Sequence, residues 1–195
     1  MGKKVKIAII GNGRVAWQLG RRLQKSGCEI TQVLGRDFEK TALLAAELSA
    51  EPIIDFAKIK PGIDLFILAV SDGAIAEIAQ KLARNQPNAT VLHLSGATDR
   101  SVIAQFFGEK TAVLWPMHSF SISEKPDWRQ VTMVLEAGDD PEKTLFFEKL
   151  TKKIGPKIIK ASGTDRAKMH LAATFANNFS NHLMTLSEGF LEKNG

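Results

Sequence analysis

Apolar and polar positions along this chain follow two periods, and they alternate. Val5, Ile7, Ala8, Ile9 and Ile10 make an apolar run of strand length, and residues 14–25 place Val15, Leu19 and Leu23 on one helical face. Residues 29–34 repeat the strand signal, and Asp37 can cap a helix through Leu48 in which Leu43, Leu44 and Leu48 share a face. Pro52, Ile53 and Ile54 suggest a short third strand. Residues 64–70 are apolar almost throughout, as in a strand covered on both faces, which places them in the centre of a sheet. Asp72 precedes a helix carrying Ile75, Ile78, Ala79 and Leu82, which residues 85–88 end before a strand at 90–94. Strands are also expected at 112–115 and 131–135, with an irregular stretch at 118–130 between them that is long enough for a functional loop. Pro141 starts a helix reaching about Ile154, and residues 157–160 complete the strand set. The pattern predicts an α/β fold with a doubly wound, mostly parallel Rossmann sheet.

From Thr164 to about Glu192 the alternation stops, and a helical segment runs on without proline or turn signal. Apolar groups on several of its faces require cover from another domain or another chain. Residues 1–162 are therefore expected to form a nucleotide-binding domain. Residues 163–195 would begin an all-helical one, for dimerisation or substrate binding, that is truncated where the chain stops.

The chemistry gathers where strands end. Gly11, Asn12, Gly13, Arg14, Val15 and Ala16 read G-x-G-x-x-A between a strand and a helix. The first glycine permits a tight turn, the second lets backbone approach a pyrophosphate, and Ala16 allows close helix–strand packing. The helix N-terminus supplies the anion site. At the end of the second strand stand Gly35, Arg36 and Asp37. A guidinium suits a ribose 2′-phosphate where an acid would accept ribose hydroxyls, so Arg36 favours NADP over NAD and argues against S-adenosylmethionine. Val70 and Ser71 leave the central strand at the same edge, where Ser71 can reach the cofactor and Asp72 caps the next helix. Ser95 and Gly96 leave the following strand beside the expected nicotinamide position, while His93 alternates inward as a structural residue.

Pro116, Met117, His118, Ser119 and Phe120 either line a substrate pocket, with His118 as the site candidate, or form a packed loop. On the long helix His170, Thr174, Asn177 and Asn181 recur at spacings that put them on one face, with Asn178 and His182 beside them. Such neutral polar groups suit a buried polar cleft or hydrogen bonding across a dimer interface. In the first case His170 and Asn177 are the catalytic candidates, a proton donor and a carbonyl-orienting amide, with Thr174 and Asn181 binding substrate.

Composition changes this picture little. Lys and Arg number 26 against 21 Asp and Glu, but the basic residues are scattered, which disfavours nucleic acid and leaves a phosphate-bearing small molecule. The apolar runs fall far short of the ~20 residues of a membrane span. A single cysteine, Cys28, excludes an internal disulfide and suits the cytoplasm, and the four histidines lack a zinc-type spacing.

The chain resembles a group of Rossmann-type oxidoreductases related to pyrroline-5-carboxylate reductase and to deazaflavin-dependent NADP oxidoreductases, which carry a C-terminal helical domain of unknown function. The resemblance runs almost the whole length and rests on residues 9–16, 68–72, 93–97, 116–120, 168–173 and 177–179. It implies an NADP-binding N-terminal domain and a helical C-terminal domain that starts with the long helix and commonly dimerises, and the substrate is expected to be a small molecule. Members often carry Gln and Thr after the proline loop where this chain has His118 and Ser119, and they continue for several helices more. The leading expectation is an NADP-dependent reductase moving hydride to or from a small carbonyl or imine. The alternative is an NADP-binding redox sensor without turnover.

Overall fold

The structure, a computed structural model, describes residues 3–155 and 157–194. Its strands are β1 (Lys6–Ile10), β2 (Glu29–Leu34), β3 (Glu51–Ile53), β4 (Leu65–Leu68), β5 (Val91–His93), β6 (Thr111–Met117), β7 (Thr132–Ala137) and β8 (Lys157–Lys160). The α-helices are α1 (Arg14–Lys25), α2 (Phe38–Glu47), α3 (Ile75–Asn85), α4 (Ser101–Phe107), α5 (Pro141–Ile154), α6 (Gly163–Thr174) and α7 (Ser180–Asn194). The strands form one sheet in the order β3-β2-β1-β4-β5-β6-β7-β8. The chain winds outward from β1 in one direction and from β4 in the other, so a crevice opens between them at the carboxyl ends. This is the expected doubly wound Rossmann architecture. The exception to parallel pairing is β6 with β7, which are antiparallel. The link between them is the irregular loop rather than a helical crossover, and a returning chain without a crossover pairs antiparallel.

The two-residue period of the strands divides the core. Ile7, Ile9, Leu65 and Ile67 face α1, α2 and α5 through Leu19, Leu23, Leu44, Leu48, Phe147 and Ile154. Ala8, Ile10, Phe66 and Leu68 face α3 and α4 through Ile75, Ala79, Leu82, Ile103 and Phe107. Helix α4 is absent from the sequence reading. It is seven residues long and buries Ile103 and Phe107, too few positions to display a period. Asp72 also departs from expectation. A 3₁₀ turn over Asp72–Ala74 precedes α3, and neither its N-cap nor that of α3 makes a side-chain cap bond.

The long C-terminal helix is continuous from Gly163, with a π-helical stretch at Phe175–Phe179 between α6 and α7. Met169 and Ala173 of α6 pack on Val113, Trp115 and Val134. Beyond that, Leu171, Phe175, Phe179, Leu183, Met184, Leu186, Phe190 and Leu191 are all more than half exposed. No helix among the described residues is long and apolar enough to cross a membrane.

Candidate functional site at the carboxyl edge of the sheet

The turn after β1 carries two glycines for opposite reasons. Gly11 has φ +116°, and a Cβ there would overlap the Ala69 carbonyl, because the turn passes against the end of β4. Its amide donates to Leu34 O at 2.8 Å, while Ala69 N donates to Ile10 O at 2.7 Å, so β2, β1 and β4 are tied together at the crevice. Gly13, the N-cap of α1, has ordinary extended backbone, and a Cβ on it would meet nothing within 4 Å. Open space therefore stands at the N-terminus of a helix whose first turn holds no acid, with Arg14 exposed, Val15 half-buried and Ala16 buried beneath. The arrangement fits a diphosphate: free amides, a favourable helix dipole and no side chain in the way.

At the end of β2, on the same side of the crevice as the glycine turn, Arg36 is exposed and makes no ion pair among the described residues. Asp37 is committed elsewhere, its carboxylate accepting from Lys40 N at 3.2 Å as the cap of α2 and pairing with the Lys40 ammonium. That hydrogen bond and the adjacent ammonium hold its pKa below the usual carboxylate value. Asn12 reaches over from the glycine turn, its Nδ2 donating to Thr41 Oγ1 at 3.0 Å. Val70 is half-buried and Ser71 exposed on the β4 side of the same crevice.

At the end of β5, the Ser95 hydroxyl accepts from Ala97 N and Thr98 N, closing a turn. Gly96 is small for a reason the chain order does not reveal. A Cβ there would overlap the imidazole of His170 and the indole of Trp115. His170 lies edge-on to Trp115 with ring centroids 5.3 Å apart, and its buried Nδ1 has no hydrogen-bond partner. His93 is fully buried, and desolvation, reinforced by the Arg166 charge, pushes its pKa down to about 4.

Beside this contact is an open cleft of about 450 Å³ lined by Trp115, Met117, His118, Ser119, His170, Thr174, Asn177 and Asn178. It unites the β6 loop with the helix stripe, and Asn177 Nδ2 donates to Ser119 Oγ at 3.1 Å. Thr174 spends its hydroxyl on the His170 carbonyl one turn back. Asn181 does not join the group: it is exposed and outside the cleft. The π-helical stretch explains this, since its wider turn rotates everything beyond it off the stripe and brings Asn178 toward the cleft. A larger cavity of about 870 Å³, between α1 and residues 122–129, lies away from these strand ends.

The residue that docks the long helix carries no sequence signal. Arg166 is 1% exposed, with Nε and Nη2 each 2.9 Å from Glu136 Oε2 and Nη1 2.6 Å from Gly96 O. In the chain it looks like any solvated helix arginine. Its partners are 30 and 70 residues away. Thr41 likewise carries no signal in the sequence, whereas Gly35, directly before Arg36 at a strand end, is a visible cue to the close packing found there.

An open glycine turn at the switch point of a doubly wound sheet, on the same edge as a polar cleft, is the Rossmann-type arrangement. Residues 6–95 match the family model described as NADP oxidoreductase, coenzyme F420-dependent. Residues 131–195 match a domain of unknown function (DUF2520). The two matches cover separate parts of the chain, each less than half of it. It is 29% identical to a proposed NADP oxidoreductase from Bacteroides fragilis over 98% of this chain and 73% of that one, with a TM-score of 0.89. A protein from Thermotoga maritima (21% identity, 97% of this chain, 70% of that one, TM-score 0.75) has the same fold. So does a pyrroline-5-carboxylate reductase from Coxiella burnetii (18%, 98%, 71%, 0.69). No curated protein matches the sequence.

Proposed function

We propose that this protein is an NADP-dependent oxidoreductase that moves a hydride between the nicotinamide and a small carbonyl or imine compound. The observation that carries the reading is the open space over Gly13 at the α1 N-terminus, on the same sheet edge as the cleft of His118, His170 and Asn177. In this reading Gly11, Asn12, Gly13, Arg14 and Val15 hold the diphosphate, and Val70, Ser71, Ser95 and Gly96 line the path toward the nicotinamide. When bound, the cofactor supplies the hydride chemistry. His170 holds or moves the substrate proton, and Asn177 orients the reacting group together with His118 and Thr174. The exposed, unpaired Arg36 receives the 2′-phosphate. Asp37 does not compete for ribose hydroxyls there, because α2 already uses its carboxylate.

One observation favours the sensor alternative. Thr174 and Asn177 both have protein partners, so fewer side chains are free to do chemistry than the stripe suggested. Residues 1–162 act in this proposal as the nucleotide domain and residues 163–195 as the helical one. The exposed apolar residues of that helix suit a homodimer. The single buried thiol of Cys28 suits the cytoplasm.

Fluorescence titration of NADPH and NADH tests the reading. Arg36→Ala is expected to weaken NADPH roughly 10- to 100-fold, the value of charge-assisted hydrogen bonds to phosphate, and to leave NADH unchanged. An unchanged NADPH-to-NADH ratio refutes the assignment of Arg36. Turnover of carbonyl or imine compounds with bound NADPH then separates reductase from sensor.

A further inference from the structure

We infer that Thr41, a buried residue on α2, sets the cofactor preference by clamping the loop that carries Arg36. The inference rests on the proposal that Arg36 receives the 2′-phosphate. Thr41 is fully buried, and its hydroxyl is used in both directions. It accepts from Asn12 Nδ2 at 3.0 Å and donates to Asp37 O at 2.6 Å. Asn12 belongs to the glycine turn after β1, and Asp37 closes the loop after β2. One hydroxyl therefore ties the element that meets the diphosphate to the element that meets the adenosine ribose.

The loop between them has little room to move. Gly35 is wedged against this pair, since a Cβ on it would overlap the Thr41 hydroxyl and lie 2.9 Å from Asn12 Nδ2. Gly35 N also donates to Ile53 O at 3.2 Å, which ties the loop to the end of β3. Asp37 caps α2 on the far side. Arg36 is then the one residue of the loop whose side chain is free, on a backbone held at both ends. A long arginine side chain loses much entropy when it binds, and a fixed base limits that loss to the side chain itself. The clamp should therefore help a ligand that engages Arg36 and be nearly indifferent to one that does not. Thr41 is a positioning residue in this scheme.

The experiment measures NADPH and NADH dissociation constants for the whole chain and for Thr41→Val, Thr41→Ser, Asn12→Ala and Arg36→Ala. Thr41→Val keeps the shape and removes the hydroxyl. It is expected to lower the NADPH-to-NADH affinity ratio about three- to tenfold, the equivalent of one net hydrogen bond, with NADH affinity held within about twofold. Thr41→Ser restores the ratio. If Thr41→Val folds poorly, Asn12→Ala, at the less buried end of the same bond, is read by the ratio alone: it weakens both dinucleotides through the diphosphate and lowers NADPH affinity further. Equal losses for both dinucleotides, or no loss, overturn the clamp as long as Arg36→Ala shifts the ratio. If Arg36→Ala leaves the ratio unchanged as well, the phosphate reading and the clamp fall together.

Discussion

Replacing Arg166 by methionine keeps the apolar stem of the side chain and removes the guanidinium that holds α6 to the sheet. Two of its nitrogens lie 2.9 Å from one Glu136 oxygen, and Nη1 serves the carbonyls of Gly96 and Ser95 at 2.6 and 3.3 Å. Removing one partner of a buried pair typically costs about 3–5 kcal/mol, because the other charge stays desolvated. The Glu136 side chain keeps 14% of its exposure and so some hydration, which places Arg166→Met near the lower end, about 3 kcal/mol. Glu136→Leu leaves the guanidinium, 1% exposed, without a counterion and should cost more, about 4–5 kcal/mol. The double variant strands neither charge. It should lie within about 1–2 kcal/mol of the parent, the remainder being the two carbonyls that lose a donor. Urea unfolding followed by far-ultraviolet circular dichroism measures all four proteins. Trypsin cleavage after Lys160 separates local release of the helix from global unfolding. A double variant no more stable than Glu136→Leu alone would refute the reasoning, since the two charges would then not be coupled.

Two further outcomes follow from the same geometry. Gly13→Ala loses N-cap preference but, at φ −78°, gains about as much from a less flexible unfolded chain, so it should change stability by less than about 1 kcal/mol and the melting temperature by a few degrees, while weakening dinucleotide binding at least about tenfold. Gly11→Ala, at φ +116° and against the Ala69 carbonyl, should instead lower stability by roughly 1–3 kcal/mol, and equal melting shifts in the two variants would contradict the roles assigned. His93 is neutral in the fold, its pKa lowered from 6.5 to about 4, so the unfolded chain binds its proton first as pH falls. Its contribution is complete above about pH 6.5 and disappears toward pH 4, a loss of up to about 3 kcal/mol. His93→Gln should flatten stability against pH across that window, and parallel curves for variant and parent would rule the effect out.

The sheet could be read from the chain because its information is local. Strand and helix periods differ, Asp37 precedes the helix it caps, Pro141 starts another, and the glycine turn after residue 10 has one geometry between a strand and a helix. Doubly wound order then places Gly13, Arg36, Ser71, Ser95 and His118 along one edge, because parallel strands all leave the sheet on the same side. Packing between distant segments was not readable in this way. The stripe of His170, Thr174 and Asn177 was visible as a period, but its continuation to Asn181 assumed a uniform helix, and the π-helical stretch broke that phase. Gly96 has a reason for being small that its neighbours in the chain do not show, since a Cβ there would overlap His170 and Trp115. Arg166, Glu136 and Thr41 have ordinary local surroundings in the sequence. Their importance comes from desolvation and from hydrogen bonds to partners brought close by folding, and burial of a polar group is a property of the whole tertiary arrangement rather than of its neighbours in the chain.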